Sequence, residues 1–287
     1  MPDRHSGKWE AAVDENLDVR LINGRESSKE QFCVSVYDNG FYRGDGVFEV
    51  IRLYGGRTWA LDPHLQRLRR SAASLELPYD KQALLAECQL VVKRLAHRDA
   101  VIRVIVTREG ARFITTEPNV NLPDRIGLYT VEHLVTPLLS GVKSLSYAAN
   151  FLAKRIAVRA GEDDALLISA SSRRVLEGCT STFFWESGGR VYTPPLSEGI
   201  LDSITRQALL QCVDCEERPC QLTDLVSADG AAMASTGIEL RPVARIRGAV
   251  RVDYPKDSPG LLAAATALRS WIATHLDSEP TLSDTAA

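Results

Sequence analysis

The run VFEVIRLY from Val47 to Tyr54 is rich in β-branched and aromatic residues, stops at Gly55 and Gly56, and resumes as RTWAL up to Leu61. Two such runs about a two-glycine break predict a hairpin. Asp62 and Pro63 then supply a cap and a first-turn proline, and Leu65, Leu68, Ala72 and Leu75 follow at helical spacing, so a helix is expected from Pro63. A second amphipathic pattern covers 81–97. The runs AVIRVIVTR and RIGLYTVEHL are dominated by β-branched and aromatic residues and read as buried strands.

Periodicity breaks between Val135 and Gly141, where Thr136, Pro137, Ser140 and Gly141 cluster. That stretch is the expected linker, giving an N-terminal α+β domain over 1–134, a linker over 135–141 and a C-terminal domain over 142–287. In the second domain a helix is predicted from Tyr147 to Gly161, a strand from Ala165 to Ser169, and a hairpin from Thr182–Trp185 and Arg190–Tyr192. SITRQALLQCV and PGLLAAATALRSWIATHL read as two further helices, and the closing DSEPTLSDTAA as a frayed polar tail.

Composition narrows the function classes. A chain of 287 residues accommodates one large or two medium domains, and 45% hydrophobic with 25% charged residues is ordinary for a folded globular protein. The net charge of -3 arises from 34 basic and 37 acidic residues spread along the chain, which offers no broad cationic footprint for nucleic acid or an anionic membrane. Small-molecule partners are therefore expected. The polar start MPDRHSGKWEAAVDEN lacks the apolar core of a secretory signal, and no apolar run is long enough to span a bilayer, so a cytoplasmic location is expected. The six cysteines then read as free thiols. Cys212 and Cys215 have C-x-x-C spacing, but no second pair completes a zinc site.

Several motifs run in one order: D-N-G-F-Y-R-G-D-G-V-F-E-V, H-L-Q-R-L, G-V-K-S-L-S-Y-A-A-N-F-L-A-K, L-E-G-C-T-S-T-F-F, Y-T-P-P-L, L-D-S-I-T-R and S-T-G-I-E-L-R-P-V. Together, from about Leu21 to about Val252, they resemble the fold-type IV pyridoxal-phosphate enzymes, the family of branched-chain and D-amino-acid aminotransferases and aminodeoxychorismate lyases. The resemblance implies a two-domain α+β / α/β fold with a smaller N-terminal domain and a larger C-terminal one built on a barrel-like β core. It also implies pyridoxal 5′-phosphate as cofactor, amino-acid and 2-oxo-acid substrates, and a homodimer whose active site lies between the domains and is completed by a partner loop.

Residue by residue, the resemblance makes Lys143 the Schiff-base lysine and, once displaced by the substrate amine, the proton carrier. Glu177 becomes the carboxylate beside the ring nitrogen, needed because electrons sink best into a protonated pyridine. Arg67, the backbone N–H groups of Ile204 and Thr205 at a helix start, and Thr236 become phosphate ligands. Tyr147 stands near the ring oxygen, or is a half-buried core tyrosine. Three positions depart from the family pattern: Ser146 and Thr182 replace usual asparagines, and Asp202-Ser203 replaces the common Pro-Gly.

On the substrate side the resemblance places Phe48, where D-amino-acid transaminases of the best-known type carry tyrosine, and Gly237. Arg108 matches their strand-end arginine, yet Gly110 stands where a histidine is expected, and Arg43 occupies a usually aromatic position. Two readings follow. Either Arg43 and Arg108 together receive the substrate carboxylate, as two guanidinium forks can, or each pairs with a neighbouring acid, Asp45 or Glu109. The first favours a D-amino-acid transaminase closest to atypical members, working by a ping-pong exchange with a 2-oxo acid. Branched-chain L-amino-acid transamination, (R)-amine transamination and aminodeoxychorismate lysis remain as alternatives. A scaffold that kept only the fold is disfavoured by the presence of Lys143 and Glu177, and a Ser-His-Asp hydrolase by the lack of a G-x-S-x-G elbow.

Overall fold

The computed structural model describes residues 17–119, 123–254, 256 and 258–277, which form two compact units. The polar start and residues 278–287 of the expected tail lie outside the described residues.

The first unit contains β1 (Arg20–Ile22), β2 (Arg25–Glu26), α1 (Asn39–Tyr42), β3 (Gly46–Tyr54), β4 (Arg57–Thr58), α2 (Leu61–Ser74), α3 (Lys81–Arg94), β5 (Ala100–Thr107) and β6 (Arg112–Glu117), with Leu276 and Asp277 joined to it. Its sheet is antiparallel throughout, ordered β2-β1-β6-β5-β3-β4. β3 and β5 pair from Gly46↔Thr107 to Leu53↔Ala100, which sets the ends of both strands side by side. The predicted hairpin is present as β3 and β4. The helix expected from Pro63 begins at Leu61, and its N-cap is Ala60 at φ 58 with no side-chain cap bond. The Asp277 carboxylate instead accepts from Leu61 N–H at 3.0 Å, a partner 216 residues away that no local pattern reveals. Asp277, expected in the frayed tail, is thereby anchored. The 81–97 helix stops at Arg94.

The second unit contains β7 (Ile126–His133), α4 (Ala148–Arg159), β8 (Asp164–Ser169), β9 (Val175–Gly178), β10 (Thr182–Ser187), β11 (Arg190–Thr193), α5 (Ile204–Cys212), β12 (Cys215–Glu217), α6 (Leu222–Ser227), β13 (Gly230–Ser235), β14 (Glu239–Arg247), β15 (Val252–Asp253) and α7 (Pro259–Thr274). The mixed sheet runs β12-β11-β10-β13-β14-β7-β8-β9, with β15 on β14. The unit boundary falls ahead of β7, not at 135–141, because β7 pairs in parallel with β8 on one side and β14 on the other. Parallel pairing commits a strand to its sheet from both edges.

β8 explains the placement of the 141–160 segment. Its run DALLIS is buried on both faces: Leu166 and Ile168 join a core with Phe183, Trp185 and Met233, while Ala165 and Leu167 meet Ala153 and Ala157 of α4. A strand buried on both sides reads as a continuous apolar run. The small alanines let α4 lie close to β8, and this fixes the chain just before the helix. Among the described residues no helix is long and apolar enough to cross a membrane, and all six cysteines are unbridged.

Candidate active site

Lys143 follows Gly141, whose φ of +71° turns the chain out of the short 3-10 turn at Pro137–Leu139. The lysine side chain is buried. Tyr147, four residues on, is the N-cap of α4, and the Lys143 ammonium lies 5.6 Å from its ring centroid. A cavity opens beside this segment, walled by Val142 and Ser144 on either side of Lys143 and by Tyr147, Asn150, Glu177 and Leu201. Tyr147 and Glu177, implied separately by motif, thus share one cavity next to Lys143.

Glu177 is carried on β9, and both of its carboxylate oxygens stand 3.3 Å from Leu201 N–H. That contact joins β9 to the chain leading into α5. Gly178 beside it is closely approached: an added Cβ would meet Met233 Cε at 2.4 Å and Ser181 Oγ at 2.6 Å. The turn that follows delivers Ser181 and Thr182 to the start of β10, and both hydroxyls are buried without a hydrogen-bond partner.

At the start of α5 the Ser203 hydroxyl accepts from Arg206 N–H at 3.3 Å. The N–H groups of Ile204 and Thr205 precede any intrahelical acceptor and point out along the axis, where the helix dipole favours an anion. Thr205 is fully buried and its hydroxyl also has no partner. Thr236 and Gly237 sit half-buried in the turn between β13 and β14. None of Ile204, Thr205, Thr236 and Gly237 belongs to the cavity wall around Tyr147 and Glu177.

These donors fit a pyridoxal phosphate. Lys143 offers the amine, Glu177 a carboxylate for the ring nitrogen, and α5 a helix start whose buried hydroxyl lacks a protein acceptor. Among the described residues no cluster of three His, Cys, Asp or Glu side chains could hold a metal ion.

Two cavity residues escaped sequence reasoning. Asn150 lies one helical turn beyond Tyr147 and donates to the Cys179 carbonyl at 3.0 Å, and its i+3 spacing was a usable signal. His133 ends β7 and lines the same cavity, with burial pushing its imidazole below the usual value. Only the pairing of β7 with β8 brings it there, so no local pattern marks it.

The first unit holds the other implied residues. Arg67 is buried, with its Nε and Nη2 donating to the two carboxylate oxygens of Glu49 at 2.7 and 2.8 Å. His64 Nδ1 lies 2.8 Å from the same carboxylate. Burial pushes the Glu49 carboxyl up, but the attraction and hydrogen bonds of Arg67, joined by those of His64, outweigh it and hold the group well below the carboxylate range. Phe48 is buried, with the Arg103 guanidinium 5.7 Å from its ring centroid.

Arg43 and Arg108 part company. Arg43 is exposed at the C-cap of α1, its guanidinium 5.6 Å from the Tyr42 ring centroid, and among the described residues it has no acidic partner. Arg108 donates to both oxygens of Asp45 at 2.7 and 3.0 Å and to the carbonyls of Glu76 and Leu75 at 2.7 and 2.6 Å. Of the two readings, the Arg108 geometry matches pairing with Asp45, with four of its N–H groups engaged within the unit. Glu109 takes Asn39 rather than Arg43.

A family model described as Amino-transferase class IV matches residues 46–246. A protein of Methanocaldococcus jannaschii named "Putative branched-chain-amino-acid aminotransferase" is 32% identical over 255 residues, covering 80% of this chain and 88% of its own. The D-alanine aminotransferase of Bacillus licheniformis is 29% identical over 252 residues, covering 79% and 88%. Among solved structures, a hypothetical aminotransferase from Mycobacterium tuberculosis in its PLP-bound form superposes with a TM-score of 0.78 at 25% identity, covering 89% of this chain and 99% of that one.

Proposed function

From the premise that this chain belongs to the class IV aminotransferases, which use pyridoxal 5′-phosphate, we propose that it transfers the amino group of a D-amino acid to a 2-oxo acid. The observation that carries the transaminase reading is the buried Lys143 flanking a cavity that also exposes Tyr147 and Glu177. When bound, the cofactor supplies an electron sink for the bond broken at the substrate α-carbon.

The chain's own residues do the rest. Lys143 holds the cofactor and then moves a proton at the α-carbon, a task favoured by a lysine kept from water. Glu177 holds the proton on the ring nitrogen. The N–H groups of Ile204 and Thr205 and the hydroxyls of Thr205 and Thr236 bind the phosphate, while Arg67, given the same role by its motif, is held by Glu49 within the first unit. Tyr147 orients the ring. Arg43 receives the substrate carboxylate, supported by its exposure and, among the described residues, its lack of an acidic partner. Likeness to D-alanine aminotransferases supports the D-amino-acid preference.

A branched-chain L-amino-acid reading is favoured by one observation, the engagement of Arg108 with Asp45, which leaves a single arginine where two were expected. The 32% relative points the same way. Adding D-alanine and L-leucine separately to the loaded enzyme discriminates. Bleaching of the cofactor's visible band by D-alanine alone supports the proposal, and bleaching by L-leucine alone overturns it. Lys143→Ala is expected to lower turnover by about 10²–10⁴-fold or more. Retained turnover would remove Lys143 from the chemistry.

A homodimer belongs to the same proposal. Val36, Tyr37, Phe41 and Tyr42 expose large apolar surface beside Arg43, and such patches mark association surfaces. Light scattering on the purified protein measures the mass; a monomer at working concentration rejects the dimer.

A further inference from the structure

The loop that carries Arg43 is too short to hold itself. α1 has four residues, a single turn, which is unstable alone because nucleation fixes several dihedrals for one hydrogen bond. Its stability must come from what it packs on, and that is the end of β5. Three successive residues there grip it. The Thr107 hydroxyl donates to Asp38 Oδ2 at 2.9 Å, while Asp38 Oδ1 caps α1 by accepting from Gly40 N–H at 2.7 Å. Arg108 holds Asp45 by both carboxylate oxygens, and its own N–H donates to the Asp45 carbonyl at 3.1 Å. The Glu109 carboxylate accepts from the Asn39 side chain at 2.6 Å and its backbone N–H at 3.1 Å.

The fit is tight as well as hydrogen-bonded, since a Cβ at Gly40 would come within 2.5 Å of Thr107 Cγ2. Gly44, at φ +70°, makes the sharp turn that lets Asp45 reach back to Arg108. On its other side Arg108 donates to the Leu75 and Glu76 carbonyls, at the electronegative C-terminal end of α2. The guanidinium is thus a pin between a helix end and the loop.

We infer that Asp45 and Arg108 form a latch that fixes the Arg43 loop before substrate arrives, so Arg108 is a positioning residue that acts on the substrate carboxylate only through Arg43. This rests on the reading that Arg43 receives the carboxylate. A cation held in place ahead of binding spares the ordering cost that a mobile loop would incur. Loss of the latch therefore weakens substrate binding in ground and transition state alike, which raises KM and leaves kcat little changed.

The test uses the loaded, full-length enzyme and the variants Arg43→Ala, Asp45→Asn, Arg108→Ala, Arg108→Lys and the Asp45→Asn/Arg108→Ala pair. Amide hydrogen exchange over 38–46 reads the loop without reference to substrate. Asp45→Asn and Arg108→Ala are each expected to speed exchange and to raise the KM for D-alanine by about fivefold, the factor a partly exposed bidentate pair supports. The double variant should be no worse than either single one, because both remove the same contact. Arg108→Lys keeps the charge but not the fork and should behave like Arg108→Ala. Unchanged exchange, with Arg108→Ala raising KM as much in the Asp45→Asn background as in the parent, would overturn the latch and make Arg108 a direct substrate contact. Faster exchange with an unmoved KM in every variant, Arg43→Ala included, would instead overturn the assignment of Arg43 to the carboxylate.

Discussion

Two polar regions, one in each unit, are built on opposite terms. Around the end of β5, Asp38, Asn39, Asp45, Thr107, Arg108 and Glu109 all find partners within the unit. Around the starts of β10 and α5, the hydroxyls of Ser181, Thr182 and Thr205 are buried without one. A buried polar group without a partner costs about 1–3 kcal/mol, so folded chains rarely keep several for packing reasons alone. The first region is finished by the protein itself and supports a loop. The second leaves its hydroxyls without a partner among the described residues, which suits the proposed binding of an anion-bearing cofactor.

The largest expected effect lies in a second buried polar group of the first unit, apart from the end of β5. Glu49 is fully buried between Arg67 and His64, and removing one partner leaves an uncompensated buried charge. Glu49→Ala is expected to cost about 3–5 kcal/mol in urea unfolding of the cofactor-free protein. Its pH dependence has a definite sign. The folded-state carboxyl is held below its ordinary value of 4.5, so its stabilisation is present above that value and is lost as pH falls toward the folded one. Glu49→Gln should flatten that acid limb. An unaltered limb would show that the triad contributes nothing through charge.

A smaller effect is expected at Thr107, whose hydroxyl gives a buried, charge-assisted bond to Asp38. Thr107→Val keeps the shape and removes the donor, and should cost about 1.5–3 kcal/mol in the same unfolding assay. A loss below half a kcal/mol would mean that the bond is replaced by water and that the loop is less firmly gripped than its distances imply.

Much of this contrast was legible in the chain, and the illegible part has one physical cause. The β3–β4 hairpin, α3, α4 and the 182–192 hairpin follow from short-range pattern, because alternation, caps and glycine breaks act within a few residues. Tyr147 and Glu177, implied by motif, line one cavity whose wall includes both chain neighbours of Lys143. What escaped was set by partners far along the chain. β1, only three residues long, exists as a strand because it pairs with β6 more than 90 residues further along the chain. Arg108 offered two readings from sequence, and the partner it takes, Asp45, lies 63 residues away. The unit boundary moved for the same reason, since β7 is claimed by β8 and β14.

The finest test pairs Thr205 with Thr107. Both are buried threonines and both change to valine at nearly constant shape, yet one hydroxyl has an acceptor and the other has none. In the cofactor-free protein Thr205→Val removes a desolvated group that earns nothing from the fold, so stability should stay level or rise slightly. With pyridoxal phosphate added, the same change should weaken binding by about fivefold, the worth of one modest hydrogen bond. Equilibrium dialysis of the cofactor beside thermal unfolding of the cofactor-free form separates the two quantities. Should Thr205→Val destabilise the cofactor-free protein as much as Thr107→Val does, the hydroxyl is part of the fold and the start of α5 is no more open than the end of β5. A loss confined to cofactor affinity would instead tie the unpartnered hydroxyl to the phosphate.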